Sequence, residues 1–392
     1  MLQVGMLDVR VHGDWLPTSI LGKFAVFCAW LRMFYCTLIL LMFERSANVF
    51  FIDQVSIPVP FLKWFGPKKA RVVFYCHFPD KLLSRPGNVL KSFYRLPFDY
   101  CEEVTTLAAH CVLVNSKFTL NTVRRTWPSV SALSRAHQPR VLYPGIHIAK
   151  YQAFLKESFD PDLIPDDDAL PTALKAQLAE RVPVVLSLNR YEEKKRLNLW
   201  MDAARAAQTT VPSAVFIHAG GYDPLNGENK TVFEGMEQKK PKNAFLLKSI
   251  SEDLKMWLLC RCLFLIYTPP NEHFGIVPLE AMACGRAVVA LNSGGPTETI
   301  HHMQSGILCE EESDIASFAE ALLKDWSDQQ QEVSKDPRSR RLSRVSMMGQ
   351  TASKNVLRFS QAEFARALED ILYECVFANG VQPRSGRESR HS

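Results

Sequence analysis

Apolar runs recur along the chain in two series. The first predicts strands at VFFID (49–53), RVVFYC (71–76), CVLVN (111–115) and RVLYP (140–144). The second predicts strands at 183–189, 214–221, 244–248, 262–267 and 287–292. These runs are rich in β-branched and aromatic residues and show no strict alternation, which is typical of strands buried on both faces.

Helical segments separate the strands, most clearly at 195–208 and at 251–260, where Ser251 is a suitable N-cap. Alternating strands and helices predict parallel sheets, and 392 residues favour two domains. The predicted fold class is therefore α/β, with two Rossmann-like, doubly wound domains that face each other. In such sheets ligands bind at the carboxyl ends of the strands.

An acidic, proline-containing segment at 160–171 separates the two series and indicates a linker. The predicted organisation is a first domain at 1–158, a linker at 159–181, a second domain at 182–357, a C-terminal helix at 358–378 and a disordered tail at 379–392.

Composition, charge and the lack of certain motifs reduce the number of plausible classes of function. The chain is 47% hydrophobic and 22% charged, which is typical of a globular protein with a large core. A net charge of +5 without a long basic run gives no indication of a nucleic-acid partner. The chain has neither a Walker loop nor a GxGxxG motif, which weakens the NTPase and dehydrogenase interpretations.

Residues 24–43 form an apolar segment of bilayer-spanning length with a single charge, Arg32, near its middle. Three interpretations remain open: a membrane-spanning helix, a helix lying in the membrane surface, and a buried helix of the domain. The charged flanks on either side do not decide among them.

Charged residues follow two strands of the second series. Arg190 and Lys195 come after the strand at 183–189, in a loop and helix start that suits a diphosphate or simply a solvated basic face. Glu272 and Glu280 stand eight positions apart. Pro278 suits the first helical position, which would place Glu280 in the first turn and Glu272 in the preceding loop.

Glycines accompany these charges. Gly285 suits a left-handed position after the helix that contains Glu280. Gly294 and Gly295, just after the strand at 287–292, allow close approach of a backbone and give a modest phosphate-loop signal. A nucleotide fits this set, with its diphosphate on the cations and its ribose on a carboxylate. The carboxylate pair also fits the ordinary acidic preference of a helix start.

The ordered motifs R-x4-K (190–195), E-x7-E (272–280) and S-G-G-P-x-E (293–298) resemble those of retaining glycosyltransferases of family 4, which have the GT-B fold. Further stretches resemble the mannosyltransferases of that family that build the dolichol-linked precursor of asparagine-linked glycans through α-1,3 and α-1,6 linkages. These are GDWLP (13–17), FYCHFPD (74–80), VLVNS (112–116), NRYEEKK (189–195), AGGYD (219–223) and NEHFGIVPLEAM (271–282). The resemblance covers roughly residues 13–375.

The resemblance implies a donor site for GDP-mannose. Arg190 and Lys195 would hold the diphosphate and Glu280 the ribose, while Glu272 and the amides of Gly275 and Ile276 would face the mannose. Phe274, Gly294 and Gly295 would complete the site, and His77 of the first domain would lie near the reacting centre. The expected catalytic residues are His77, Arg190, Lys195 and Glu272. Neither a nucleophile, a cofactor nor a metal is expected.

The resemblance also implies partners and a location. The acceptor would be a dolichol-diphosphate-linked Man-GlcNAc2, at the cytosolic face of the endoplasmic reticulum membrane. A complex with neighbouring mannosyltransferases of the pathway would be consistent with this place.

Three alternatives remain. Asp160-Pro-Asp162 and Asp166–Asp168 match the Asp-x-Asp pattern of metal-dependent GT-A transferases, although they lie in the predicted linker. The second alternative is a non-catalytic scaffold with a degenerate transferase fold. The third is a family 4 transferase that uses another acceptor.

The beginning of the chain departs from the family pattern. Family members open with an apolar strand, a glycine-rich turn and a helix, whereas this sequence reaches GDWLP (13–17) almost at once. We therefore expect the first domain to be N-terminally truncated relative to the family.

Overall fold

A computed structural model describes residues 9–20, 24–83, 89–134, 137–336, 339 and 342–377. The chain divides into two compact units. The first contains the chain up to Tyr143 and again from Arg366, and the second is Pro144–Ala365. Each unit contains one parallel sheet with helices, which confirms the predicted α/β class.

The sheet of the first unit has four parallel strands in the order β1-β2-β3-β4. They are β1 (Val49–Asp53), β2 (Arg71–Cys76), β3 (Cys111–Val114) and β4 (Arg140–Val141), at the four predicted positions. Its core centres on β2 and β3, where Val72, Val73 and Val114 are fully buried. Pairing of β1 with β2 places Asp53 beside Tyr75 at the carboxyl edge of the sheet.

The α-helices described in the chain up to Tyr143 are α1 (Ala25–Phe43), α2 (Pro58–Phe65), α3 (Asp80–Leu83), α4 (Val89–Leu107) and α5 (Lys117–Thr126). The apolar segment predicted at 24–43 is thus helical. Aromatic edge contacts join Trp30 of α1 to Phe98 of α4, and Phe34 of α1 to Phe61 of α2. The α1 helix therefore packs on the helices of its own unit along one side.

The sheet of the second unit has six parallel strands in the order β10-β9-β8-β5-β6-β7. They are β5 (Val184–Leu188), β6 (Val215–Gly220), β7 (Ala244–Lys248), β8 (Phe264–Tyr267), β9 (Ala287–Leu291) and β10 (Gly306–Cys309). Five lie at predicted positions, whereas β10 was not predicted. Its sequence is GILC, in which only three apolar residues follow a glycine, and this short run was not recognised as a strand.

The helices of the second part of the chain are α6 (Ile148–Ala153), α7 (Thr172–Ala179), α8 (Asn198–Thr210), α9 (Gly227–Lys239), α10 (Glu252–Arg261), α11 (Ile276–Ala283), α12 (Pro296–Thr299), α13 (Asp314–Lys335), α14 (Arg344–Asn355) and α15 (Gln361–Phe377). The hydroxyl of Ser251 accepts a hydrogen bond from the Leu254 amide, so Ser251 caps α10 as predicted. The segment predicted as a C-terminal helix contains a short 3₁₀ turn at Val356–Phe359 and then α15. The predicted tail lies outside the described residues.

The unit boundary falls earlier than the predicted end of the first domain at 158. The segment that follows residue 143 is fastened to the second unit, because Trp257 donates to the carbonyl of Asp160 and the Ser251 amide donates to Asp167. The α6 and α7 helices and the predicted linker 159–181 therefore belong to the second unit.

The strand order of the second unit reverses between β5 and β8. At such a switch point the connections leave the two strands toward opposite faces of the sheet, which opens a crevice at their carboxyl ends. The loop with Arg190 and Lys195 follows β5, and the loop with Glu272 follows β8. The topology thus brings two of the predicted motifs to one crevice.

Candidate functional site

The loop after β5 carries four cations, Arg190, Lys194, Lys195 and Arg196, together with Glu192 and Glu193. The guanidinium of Arg190 is largely exposed and lies 2.9 Å from the Glu192 carboxylate, which also pairs with Lys194. Lys195 ends a short 3₁₀ turn at Glu193–Lys195, and α8 begins only at Asn198. The helix predicted at 195–208 is confirmed as α8, but it starts three residues later, because the left-handed φ of 51° at Arg196 separates the turn from α8.

The loop after β8 is joined to the loop after β5. The buried hydroxyl of Thr268 donates to the carbonyl of Lys195 at 2.6 Å. The Lys195 Nζ lies 2.5 Å from Oε2 of Glu272, and both side chains are mostly buried. Two residues predicted separately thus form one ion pair across the switch point.

The ionisation of Glu272 is set by opposing effects. Burial raises its pKa, but the charge of Lys195 and hydrogen bonds from Lys195 and Tyr267 outweigh burial, and the pKa is lowered from its ordinary value. Burial and the negative charge of Glu272 in turn raise the pKa of Tyr267. The carboxylate is therefore held charged, with the Tyr267 hydroxyl protonated as its donor.

The α11 helix begins earlier than predicted. Gly275 has φ +83° as its N-cap, and the helix starts at Ile276. Pro278 is therefore the third helical residue, and Glu280 is the fifth rather than a first-turn residue. The prediction that Gly285 is left-handed after the helix is confirmed by its φ of +69°.

Glu280 is buried, with a side chain about one-tenth exposed. Its Oε1 accepts the hydroxyl of Tyr151 at 2.7 Å and lies 2.8 Å from Lys255 Nζ. Among the described residues, none donates a hydrogen bond to Oε2 of Glu280. The carboxylate is thus anchored through one oxygen, and Lys255 compensates its charge.

Gly294 and Gly295 pack against the chain itself. A Cβ on Gly294 would lie 2.4 Å from the Glu272 carbonyl oxygen, and one on Gly295 would lie 2.1 Å from that of Phe274. The Gly295 amide donates to the Glu272 carbonyl at 2.7 Å. The close approach expected of this pair is therefore made to the 272–274 loop, whose position the glycines determine.

Two of the predicted donor-binding residues differ in exposure. Phe274 is buried with its ring against Phe359, so its side chain anchors the loop. Ile276 is about half exposed at the N-terminus of α11. First-turn N–H groups have no partner within their own helix, so the backbone around Ile276 can bind an anion.

A cleft of about 350 Å³ lies at the carboxyl ends of β5, β6 and β7. Arg190, Gly221, Lys255 and Val277 are among the residues that line it. Gly220 also lines it, and only glycine fits there because a Cβ would lie 1.9 Å from the Asn189 carbonyl oxygen. The cleft is therefore lined both by Arg190, a predicted donor-binding cation, and by Lys255, which pairs with Glu280.

His77 belongs to the first unit, directly after β2. Its Nε2 lies 2.8 Å from Oδ1 of Asp53, and both side chains are about half exposed. The imidazole is therefore accessible at the carboxyl edge of the first sheet.

Three residues at the site were not predicted: Lys255, Tyr151 and Tyr267. Lys255 lies in the predicted helix 251–260, but sequence alone does not show which face it occupies. Tyr151 is 129 positions from the carboxylate that it contacts. Tyr267 ends the predicted strand 262–267 and was counted only as an apolar strand residue.

The Asp-x-Asp candidates are engaged in local structure. Asp162 pairs with Arg181, Asp166 pairs with Lys175, and Asp167 accepts from the Ser251 amide. Among the described residues, no group of three or more His, Cys, Asp or Glu side chains is arranged to hold a metal ion. These aspartates hold the 160–170 segment to the second unit.

Comparison with known proteins agrees with this geometry. Residues 173–341 match the family "Glycosyl transferases group 1". The chain is 34% identical to the alpha-1,3/1,6-mannosyltransferase ALG2 of Rhizomucor pusillus, over 97% of this chain and 83% of that protein. It is 38% identical to human alpha-1,3/1,6-mannosyltransferase ALG2, over 81% of this chain and 74% of that protein.

The chain belongs to the ALG2 family. A solved trehalose 6-phosphate synthase from Burkholderia multivorans superposes with a TM-score of 0.66 at 11% identity, over 91% of this chain and 78% of that one. The ALG2 family member described here has the GT-B fold that the motifs indicated.

Proposed function

We propose that the chain transfers mannose from GDP-mannose to the dolichol-diphosphate-linked Man-GlcNAc2 acceptor, forming α-1,3 and α-1,6 linkages in the assembly of the N-glycan precursor. The observation that carries the proposal is the pair of ion pairs at the switch point, Lys195–Glu272 and Lys255–Glu280, in a chain of the ALG2 family. They supply the cations and carboxylates that a nucleotide-sugar requires.

The donor diphosphate binds to Arg190 and Lys195. Arg190 is exposed and presents a planar set of donors that suits phosphate oxygens. Lys195 is held between a buried loop and Glu272, so its ammonium is preorganised. Charge that develops on the departing GDP is stabilised by these cations and by the N-terminus of α11.

The ribose of the donor binds to Glu280. Tyr151 and Lys255 hold Oε1, which leaves Oε2 to accept hydrogen bonds from ribose hydroxyls. The cleft lined by Gly220, Gly221 and Val277 accommodates the base next to this carboxylate.

The donor mannose binds at Glu272 and the backbone of Gly275 and Ile276, and transfer proceeds with retention by front-face substitution. Support comes from the environment of Glu272, which is held by Lys195 and Tyr267 as a hydrogen-bond acceptor. A carboxylate constrained in this way binds sugar hydroxyls well. It is poorly suited to attack the anomeric carbon.

The enzyme works without a metal ion, because Arg190 and Lys195 neutralise the diphosphate. The aspartates of the Asp-x-Asp pattern are paired with Arg181 and Lys175, which supports this proposal over the GT-A alternative. Transfer in the presence of excess EDTA is the expected result.

The enzyme docks on the cytosolic face of the endoplasmic reticulum membrane through α1. This helix is long and apolar enough to cross a bilayer, and it exposes Phe27, Leu31, Leu38 and Met42. Its other side packs on α2 and α4, which carry Lys63, Arg95 and Asp99. Spanning would draw those charges into hydrocarbon, so α1 lies in the membrane surface. Neighbouring mannosyltransferases of the pathway assemble with the enzyme there.

The test is incubation of membranes that carry the chain with labelled GDP-mannose and the one-mannose lipid acceptor. Addition of two mannoses, one in each linkage, is expected. Absence of transfer would favour a non-catalytic scaffold, and transfer only to other acceptors would favour a family 4 enzyme of different specificity.

A further inference from the structure

Asp53 and His77 form a carboxylate–imidazole pair at the carboxyl edge of the first sheet. Asp53 is the last residue of β1, and His77 follows the last residue of β2. Parallel pairing places Asp53 opposite Tyr75, so the two side chains meet one step beyond the end of the ladder. The distance from Nε2 to Oδ1 is 2.8 Å, which is within the range of an ion pair.

The backbone on the carboxylate side is held in an unusual conformation. Gln54, directly after Asp53, has a φ of 65° although it is not glycine. The Val55 amide donates to the Asp53 carbonyl at 2.8 Å, and the Gln54 amide donates to the Tyr75 carbonyl at 3.3 Å. Left-handed non-glycine residues are energetically costly and cluster at functional sites. This tight turn fixes where the Asp53 carboxylate points.

The imidazole is also held on its other sides. The ring of Tyr75 meets that of His77 edge-on with centroids 4.9 Å apart, and the Tyr75 hydroxyl donates to the Leu142 carbonyl. The Thr119 hydroxyl donates to the His77 carbonyl. Thr119 therefore holds the backbone of His77, while Tyr75 and Asp53 lie against its ring.

We infer that Asp53 is a positioning residue for transfer, which acts through His77. In the arrangement that we infer, Nε2 of His77 carries a proton and donates it in a hydrogen bond to the Asp53 carboxylate, which can only accept. In the neutral imidazole the lone pair then lies on Nδ1, where it accepts a hydrogen bond from a hydroxyl of the reacting sugars. The inference rests on the proposed function and on the place near the reacting centre that the family resemblance implies for His77.

A purely structural role for the pair is a poor explanation. Asp53 and His77 are each about half exposed, and exposed ion pairs contribute little to folding stability. The energetic cost of the left-handed turn at Gln54 would then support an ion pair that contributes little to the free energy of folding. A role in fixing the tautomer of His77, by contrast, explains why the turn at Gln54 places the Asp53 carboxylate next to Nε2.

The test is a double-mutant cycle on the full chain in membranes, with Asp53→Asn, His77→Gln and the double variant. We expect Asp53→Asn to lower kcat by about tenfold or more, with KM for GDP-mannose changed less than about twofold. In the His77→Gln background the same substitution should have little further effect, because coupled residues are not additive. Glu374→Gln, which removes the carboxylate paired with Arg140 in the same unit, is the matched control and should keep the full rate.

Two results would contradict the inference about Asp53 without contradicting the proposed function. One is an Asp53→Asn variant that transfers mannose at the unaltered rate, and the other is an equal loss in both backgrounds accompanied by a lower melting temperature. If the unaltered chain transfers no mannose, the proposed function fails and this inference fails with it. Transfer by the unaltered chain therefore separates the two failures.

Discussion

At the scale of single residues, the site consists of charges that satisfy one another before a ligand arrives. Lys195 holds Glu272, Lys255 holds Glu280, and Arg190 holds Glu192. Binding a diphosphate at Lys195 competes with Glu272, while binding a ribose at Glu280 uses an oxygen that Lys255 and Tyr151 leave open. Substitutions of these residues should therefore differ in their effects on ligand affinity, transfer rate and stability.

Glu280→Ala should weaken GDP binding by about 1–3 kcal/mol, the usual cost of removing one partner of a buried hydrogen bond. Calorimetry with GDP measures this effect. Tyr151→Phe is the matched control, because it removes one hydrogen bond to Oε1 and keeps the carboxylate. GDP affinity that is unchanged by Glu280→Ala would refute the ribose assignment.

Arg190→Ala and Lys195→Ala should both slow transfer, but only the second should lower stability. Arg190 is exposed, so its loss removes little packing. Loss of Lys195 leaves the mostly buried Glu272 without its cation, and burial then raises the pKa of that carboxyl. Transfer assays and thermal unfolding of both variants measure the contrast. A full transfer rate in either variant would contradict the diphosphate assignment.

His218, at the core of the second unit, should make stability fall with acid. Burial lowers its pKa to about 3, and within the described part of the chain neither ring nitrogen has a hydrogen-bond partner. The unfolded chain takes up the proton below about pH 6.5 while the folded state resists it. Stability is therefore lost as pH falls from about 6.5 toward 3, at up to about 1.4 kcal/mol per pH unit.

His218→Phe should flatten this acid dependence in thermal melts recorded between pH 7.5 and 5. His301→Gln changes an exposed histidine and should leave it as it is. An identical pH dependence in His218→Phe and the unaltered chain would show that other groups are responsible.

At the scale of elements, the sequence predicted nine of the ten strands found in the described residues, because buried parallel strands are dense apolar runs. It missed β10, which is short and begins at a glycine, and it misplaced the start of α11. The α11 helix begins at Ile276 rather than at Pro278 because its N-cap, Gly275, has a φ of +83° and turns the chain directly into the helix. The preference of proline for the first helical position, on which the prediction was based, does not reveal the turn at Gly275.

The candidate site was predicted less completely than the sheets. Motif residues at the ends of strands were identified because topology brings such ends together. Their partners Tyr151 and Lys255 were not, because contacts over 129 and 25 positions depend on how α6 and α10 pack around α11. The glycine pair at 294–295 was recognised, but its backbone neighbour turned out to be the 272–274 loop.

Membrane docking is an element-scale property of α1. Replacing its exposed Leu31 and Leu38 together by glutamate should release the chain from phospholipid vesicles, because two charges would enter the apolar face. Co-sedimentation with vesicles measures binding. Leu225→Glu adds a charge at an exposed leucine of the second unit and should leave binding unchanged. Undiminished sedimentation of the α1 variant would place the anchor elsewhere.

At the scale of the whole molecule, the described chain has one six-stranded sheet with a switch point, and the glycosyltransferase match covers that region once. The other described sheet, of four strands, runs in sequence order without a reversal. The motifs assigned to the donor all lie in the second unit. On this assignment, the two proposed linkages share one donor site.

A single donor site predicts that donor-side substitutions reduce both linkages together. Glu280→Ala and Arg190→Ala should lower α-1,3 and α-1,6 transfer by the same factor, because each addition begins with the same bound GDP-mannose. The measurement is linkage analysis of products formed from the one-mannose acceptor and, separately, from the purified two-mannose acceptors. His77→Gln, in the other unit, provides the contrast, since a residue near the acceptor is free to affect the two linkages unequally. Loss of one linkage with full retention of the other in Glu280→Ala would require a second donor site and would contradict the assignment of both activities to this crevice.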